Sequence, residues 1–125
     1  MAGTSNRTVL VVDHNDSFRD FLVSTLVGKG CAVDQASDCE NGIRKASTQH
    51  FDVVFMDCFM PDCGGDEATR AIIREDPSTR VVIVSESPTC DRVERAIEFG
   101  ACQVLSKPID AQELTRYLDS MFESL

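Results

Sequence analysis

Apolar and polar positions along this chain follow two rhythms that alternate five times. Short β-branched runs have the pattern of strands buried on both faces. Between them lie longer stretches whose apolar residues recur three and four apart, as on a helix with one buried stripe. The first run, Thr8-Val9-Leu10-Val11-Val12, stops at Asp13. Phe18, Phe21, Leu22, Thr25 and Leu26 then mark a helix that Asp16 or Ser17 can cap and that Gly28 and Gly30 end. Cys31 to Ala36 is a weaker strand nearer a sheet edge, and Asp38 to Gln49 a helix with a thin apolar side led by Ile43 and Ala46. Val53-Val54-Phe55-Met56 is a continuous apolar run that ends at Asp57, ahead of a turn holding Pro61, Gly64 and Gly65. Asp66 to Glu75 reads as a helix with Ala68, Ala71 and Ile72 inward, stopped by Asp76-Pro77. Arg80 to Val84 is the next strand, ending at Ser85, and Pro88 to Phe99 a helix with Val93, Ala96 and Ile97 on one side. Cys102 to Leu105 is the last strand, leading to Ser106-Lys107-Pro108. A final helix from about Ala111 to Phe122 carries the stripe Leu114, Tyr117, Leu118 and Met121.

Five strand–helix units in succession predict an α/β fold, a parallel sheet with helices on both faces and right-handed crossovers. The natural solution is a flavodoxin-like, doubly wound (βα)5 arrangement: a five-stranded parallel sheet in the order 2-1-3-4-5. Its binding crevice lies where the first and third strands meet. One domain covers residues 8–125 after a flexible lead of residues 1–7. Polar residues follow four of the five apolar runs: Asp13, Asp57, Ser85 and Lys107. In this topology all four face one crevice. Any one of them alone also reads as a turn former or a solvated charge.

Composition narrows the function. The 125 residues carry a net charge of −9, and such a surface repels phosphate backbones, so no direct nucleic-acid binding is expected. No apolar run approaches the roughly 20 residues that span a membrane. The polar first residues lack the apolar core of a signal peptide, and a cytoplasmic location follows as the expectation. Six cysteines, Cys31, Cys39, Cys58, Cys63, Cys90 and Cys102, show no metal-binding or redox spacing. They are expected as reduced thiols, several of them small core residues. Cys58 and Cys63 flank the turn after Asp57, with no Lys, Arg or His beside them in sequence to activate either.

Two carboxylates, a hydroxyl and an ammonium form a specific set. Paired carboxylates suit a hard divalent cation such as Mg²⁺. A carboxylate can attack phosphorus to give an acyl phosphate. Lysine and serine can then hold phosphoryl oxygens. With Val11-Val12-Asp13, Met56-Asp57 followed by Met60-Pro61 and Gly65, Ser85 after its strand, and Lys107-Pro108, the chain resembles the response-regulator receiver domains of two-component signalling. The resemblance runs from Thr8 to about Phe122. It implies that Asp57 is the phosphoacceptor, fed by a histidine kinase or histidine phosphotransfer protein. It implies that Asp13, Asp57 and the backbone carbonyl of Phe59 hold Mg²⁺ (or Mn²⁺), that Ser85 binds the phosphoryl group, and that Lys107 pairs with it. It further implies a binding switch rather than an enzyme, with a downstream output domain or partner. The fourth helix, fifth strand and fifth helix form the signalling or homodimer face.

Three positions depart from that family's pattern. His14 stands where a second acid after the first strand is usual, so metal binding is expected to be weak. His14 either approaches the metal or turns to solvent, leaving a water as ligand. Val104 replaces the usual aromatic residue of the fifth strand, which predicts a muted conformational response. Glu86 follows Ser85 where a small residue is common, and either supplies a missing carboxylate or only adds charge. A degenerate receiver that docks proteins without phosphorylation is the alternative function. A flavin carrier would need a Ser/Thr/Gly-rich loop where Asp13-His14-Asn15-Asp16 stands. A haloacid-dehalogenase-type phosphatase would need an acid where Phe59 stands.

Overall fold

The computed structural model describes residues 7–124. Strands β1 (Thr8–Val12), β2 (Ala32–Ala36), β3 (Val53–Asp57), β4 (Arg80–Ser85) and β5 (Gln103–Ser106) alternate with helices α1 (Asp16–Gly28), α2 (Cys39–Thr48), α3 (Gly65–Glu75), α4 (Asp91–Glu98) and α5 (Ala111–Glu123). The strands form one parallel sheet in the order β2-β1-β3-β4-β5, as the alternation of patterns requires.

Alternation along each strand divides the core in two. Leu10, Val12, Val54, Met56, Val81 and Ile83 pack toward α2, α3 and α4, against Cys39, Ala68, Ile72, Val93 and Ala96. Val9, Val11, Val53, Phe55, Val82 and Val84 pack toward α1 and α5, against Leu22, Leu26, Leu114, Leu118 and Met121. Fully burying one such Leu or Phe contributes about 1.5–3 kcal/mol. Each face therefore holds its helices through several independent anchors. Gly42 of α2 lies so close to β1 that a Cβ there would sit 2.7 Å from Val12 Cγ2, which makes a small residue necessary at that crossing.

Local chemistry shifts several expected details. Asn15, rather than Asp16 or Ser17, caps α1, its side chain accepting from Phe18 N at 2.9 Å. Asp16 is left to pair with Arg19 at 2.6 Å. Helix α4 starts later than Pro88, because Ser87–Cys90 closes a turn first, with Cys90 N donating to Ser87 O at 3.2 Å. Ile97 is 50% exposed; Val93 and Ala96 fill the inward stripe, and Ile97 is rotated about 100° beyond Ala96. On α3, Ala71 is only half-buried, while Thr69 is buried and donates to Gly65 O at 2.7 Å.

Two cysteines depart from the reduced state expected of all six. Cys39 and Cys63, 24 residues apart, form a disulfide with Cα atoms 6.0 Å apart. It fastens the start of α2 to the loop after β3. Asp62 of the same loop accepts from Cys39 N at 3.0 Å and Glu40 N at 3.1 Å, so a carboxylate also caps α2 from outside its own segment. Arg7, assigned by its sequence to a flexible lead, is held instead: Nη2 donates to Phe122 O at 2.9 Å and the guanidinium covers the Phe122 ring. The remainder of that lead, residues 1–6, lies outside the described residues.

At the amino edge of the sheet His50 joins two segments. Its Nδ1 is 2.6 Å from Asp76 Oδ2 after α3, and its Nε2 is 3.2 Å from Asp52 Oδ1 before β3. Asp76 and then Asp52 hold the imidazole above its ordinary value. Ser78 and then His50 pull the Asp76 carboxyl down to about 2. The histidine's contribution is complete below its unfolded value of 6.5 and is lost as pH rises through the raised folded value. The aspartate's is present above 3.8 and is lost only as pH falls toward about 2. Thermal unfolding of wild type and His50→Gln should therefore differ most near pH ~5 and converge toward pH ~9. A gap that is constant across that range would refute the pairing.

Candidate functional site

The crevice at the carboxyl edge is a product of register. Val12 pairs with Met56, so Asp13 and Asp57 emerge side by side from adjacent strands. Asp57 pairs with Val84, and Ser85 with Ser106, so Ser85 and Lys107 follow on the next two strands. Asp13, Asp57 and Lys107 share the strand parity of Val11, Phe55 and Leu105, which face α1 and α5. Ser85 has the opposite parity. Asp13, Asp57 and Ser85 are all buried, at 1%, 5% and 1% exposure.

Lys107 Nζ lies 2.9 Å from Asp13 Oδ2 and 3.9 Å from Asp57 Oδ2, and 4.4 Å from the centre of the Phe18 ring. One ammonium thus serves two carboxylates, its flank covered by an aromatic face. Asp13 is fixed from its other sides. Its Oδ1 accepts from Asn15 N at 2.8 Å, and its backbone carbonyl accepts from Arg19 Nη1 at 2.7 Å. Asp13 Oδ2 is buried and has no hydrogen-bond partner besides its ion pair with Lys107 Nζ at 2.9 Å.

His14 does not turn away. Although its side chain is 47% exposed, Nδ1 sits 2.8 Å from Asp57 Oδ2. The other Asp57 oxygen accepts a long bond from Phe59 N at 3.4 Å. Burial, and after it the charge of Asp13, push the Asp57 carboxyl above its ordinary range. Lys107 and then the His14 hydrogen bond pull it back only in part. Oxygen and nitrogen donors of Asp13, His14 and Asp57 lie within 4.8 Å of one another. A buried carboxylate oxygen without a hydrogen bond, beside a second carboxylate, fits a hard divalent cation that keeps several of its waters.

The other expected residues take different places. Ser85 Oγ accepts from Ser87 N at 2.9 Å, which ties it to the start of the following loop. Glu86 is exposed and outside the ligand cluster of the described residues. Val104, paired with Ile83, is half-buried against the α2–α3–α4 side of the core. The loop after Asp57 closes on itself: Phe59 bridges Gly64, and Gly65 N donates to Cys58 O at 2.8 Å. A Cβ on Gly65 would come to 2.6 Å from Asp57 O, so only glycine lets α3 start this close to the carboxylate. Phe59 itself is 46% exposed, its ring beneath the Arg92 guanidinium at 4.8 Å. Phe18, Arg19 and Arg92 escaped the sequence reading. Phe18 and Arg19 carried a signal only as members of the first helix, since contacts across elements leave no local pattern.

Comparison with known proteins agrees with this geometry. The family pattern described as the response regulator receiver domain matches residues 9–119. A curated relative, the response regulator ArlR of Staphylococcus aureus, is 28% identical over 106 residues, 85% of this chain and 48% of ArlR. The chain spans about half the length of the curated relatives it matches. Among solved structures, a CheY-like receiver from Methanospirillum hungatei superposes with a TM-score of 0.88 at 20% identity, covering 96% of both chains. Chemotaxis protein CheY4 of Vibrio cholerae gives 0.84 at 26%, covering 93% of this chain and 98% of its own. CheY of Borrelia burgdorferi, solved with CheX, BeF3 and Mg²⁺, gives 0.83 at 25%, covering 93% and 89%.

Crowding at Asp57 has a measurable consequence for stability. An acid whose folded value is raised destabilises the fold once it is ionised. Asp57→Asn in chelating buffer should therefore unfold a few degrees higher than wild type at pH ~7, a gain on the order of 1 kcal/mol. The gain should vanish toward pH ~3, where the wild-type carboxyl is neutral. A lower midpoint for the variant at neutral pH would show that the His14 and Lys107 contacts outweigh burial and Asp13.

Proposed function

We propose, since the chain belongs to the family of response regulator receiver domains, that it takes a phosphoryl group on Asp57 from a phosphohistidine and thereby alters a partner-binding surface. The observation that carries this reading is Asp57 at the end of the central strand, with Asp13 beside it and Lys107 shared between them. The donor is a histidine kinase or a histidine phosphotransfer protein. One Asp57 carboxylate oxygen attacks phosphorus, the phosphorus–nitrogen bond breaks, and the imidazole nitrogen leaves with its electron pair and takes up a proton. The product is an acyl phosphate on Asp57. Lys107 supplies a positive charge to the transferred group from a site already 3.9 Å from the nucleophile. Ser85 supplies the O–H of its hydroxyl, whose oxygen accepts from Ser87 N.

Asp13, Asp57 and the Phe59 carbonyl are the residues to hold Mg²⁺, with His14 at the edge of the set. When bound, the cation offsets repulsion between the carboxylates and the incoming phosphoryl group. His14 is the particular feature of this chain. Its Nδ1 occupies Asp57 Oδ2, so the imidazole has to leave that oxygen, or stay at the metal as a nitrogen ligand, before the carboxylate is free. The site therefore binds Mg²⁺ weakly and accepts Mn²⁺ relatively well. The α4–β5–α5 side is the surface that responds, with Ile97 exposed on it and Val104 behind it. Its output is a partner or an attached domain, reached in the cytoplasm. Transfer to and slow loss from Asp57 are the only chemistry it performs.

Incubation with acetyl phosphate and Mg²⁺ should add one phosphate to the wild type and none to Asp57→Asn by intact mass. Equal labelling of both proteins would remove Asp57 from its role. Absence of labelling in both proteins would favour a docking module that works unphosphorylated. His14→Asp, which restores a second acid after β1, should tighten Mg²⁺ binding about tenfold in a calorimetric titration, by analogy with the cost of losing metal-site partners. Equal Mg²⁺ affinity in wild type and His14→Asp would place His14 outside the metal's reach.

A further inference from the structure

We propose that the groove between α3 and α4 is a docking site for an acidic segment of a partner protein, whose carboxylates are spaced about one helical turn apart. The groove encloses about 560 Å³ and lies outside the Asp57 crevice. Arg70 and Arg74 rise from α3 four residues apart, and Arg92 and Arg95 from α4 three residues apart, so two rows of guanidinium groups face each other. Asp66 and Glu67 are the acids of its lining, and four cations to two anions make this a positive strip on a chain of net charge −9. A surface this acidic gathers its few positive charges where they can select an anionic partner and repel others.

The guanidinium groups are also held ready. Asp66 is buried at 5% exposure and anchors two of them: its Oδ2 is 2.8 Å from Arg95 Nε and its Oδ1 is 3.8 Å from Arg92 Nε. Arg70 rests its guanidinium on the Phe99 ring at 5.1 Å, which leaves its edge N–H donors free for a carboxylate fork. Arg74 makes no ion pair among the described residues. Holding the forks in place beforehand lowers the ordering cost of docking. The same details select the occupant. Arg70 already covers Phe99, so the ring is not open to stack a nucleobase. Asp66 and Glu67 at one end oppose a compact cluster of phosphate charges. Carboxylates spread one turn apart instead match Arg70 and Arg74 while avoiding those two acids. The site does not depend on phosphorylation of Asp57, so its test stands apart from that reading.

The probe is a fluorescein-labelled, 14-residue helix-forming peptide with Glu at every fourth position of one face, titrated with the full chain and followed by anisotropy. Binding should saturate, should weaken with added salt, and should fall about tenfold in Arg70→Glu/Arg74→Glu, as loss of two exposed ion pairs requires. Arg44→Glu/Arg80→Glu, which changes net charge equally at exposed positions elsewhere, should leave the affinity unchanged. Arg70→Gln/Arg74→Gln replaces the first variant if circular dichroism shows that it does not fold. Equal weakening by both charge reversals would reduce the effect to net charge and overturn the proposal. So would equal binding of a peptide with Gln in place of Glu, or no saturable binding at all. Displacement of the peptide by pyrophosphate or ATP at lower concentration than by unlabelled peptide would overturn it in favour of a phosphate site. Dimerisation in sedimentation runs that Arg70→Glu/Arg74→Glu abolishes would overturn it in favour of a second copy of this chain.

Discussion

Two carboxylates that repel each other stand side by side in a place with almost no water, and the rest of the crevice is arranged around that repulsion. Parallel register puts Asp13 and Asp57 on neighbouring strands, about 5 Å apart at the backbone. Each isolated charge at such a depth would cost several kcal/mol. The fold offsets this with one shared ammonium, with backbone donors at Asn15 and Phe59, and with the imidazole of His14. The compensation is incomplete, since one ammonium is shared by two carboxylates and is all that Asp13 Oδ2 has beside it. A site left short of positive charge attracts a cation and then an anion bound through it, which is the electrostatic logic of a phosphoryl acceptor.

Strand parity explains how the ammonium reaches both acids. Lys107 follows Leu105 at the same parity as Asp13 after Val11 and Asp57 after Phe55, so all three leave the sheet toward α1 and α5. Phe18 of α1 covers the lysine there. Ser85 leaves toward the opposite side, at the start of the loop to α4, and its hydroxyl is held by Ser87 N. The crevice thus has a charged wall fixed by α1 and a hydroxyl wall attached to α4. A group added at Asp57 that recruits Ser85 as a donor draws on a residue whose oxygen also accepts from Ser87 N, so the pull is passed to the loop that leads to α4.

Much of this was legible before any coordinates. Five apolar runs with helical stretches between them were enough for the sheet order, since parallel strands and right-handed crossovers leave few topologies. The same order brought Asp13, Asp57, Ser85 and Lys107 to one edge. What escaped lies between elements. His14 was weighed between the metal and the solvent, whereas its Nδ1 rests on Asp57, a contact 43 residues away that no local pattern announces. Cys39 and Cys63 read as separate thiols because their spacing matches no short motif, and only the packing of α2 on the loop after β3 brings them together. Ile97 looked inward because it lies four residues after Val93, yet the face that packs is centred on Val93 and Ala96 and leaves Ile97 at its edge, half exposed.

The placement of positive charge shows how these pieces interlock. With 12 basic residues to 21 acidic ones, acids outnumber cations however they pair, and several cations are shared between two or more partners. Arg19 bridges the Asp13 carbonyl, Asp16 and Gln35, so the first loop of the crevice is pinned to α1 and β2 by a single guanidinium. Lys107 is divided between the two crevice acids. Arg92 is divided between Asp66 of α3 and the face of Phe59, in the loop that follows Asp57. That last sharing matters most for signalling. An acidic partner that drew Arg92 toward the α3–α4 groove would withdraw it from Phe59, and a shift of the Phe59 loop would release Arg92 toward the groove. Any free energy that couples the two acts equally in both directions. Arg92 thus stands at the groove and against the loop that follows Asp57 at once, while the other three arginines of the groove make no contact with that loop among the described residues.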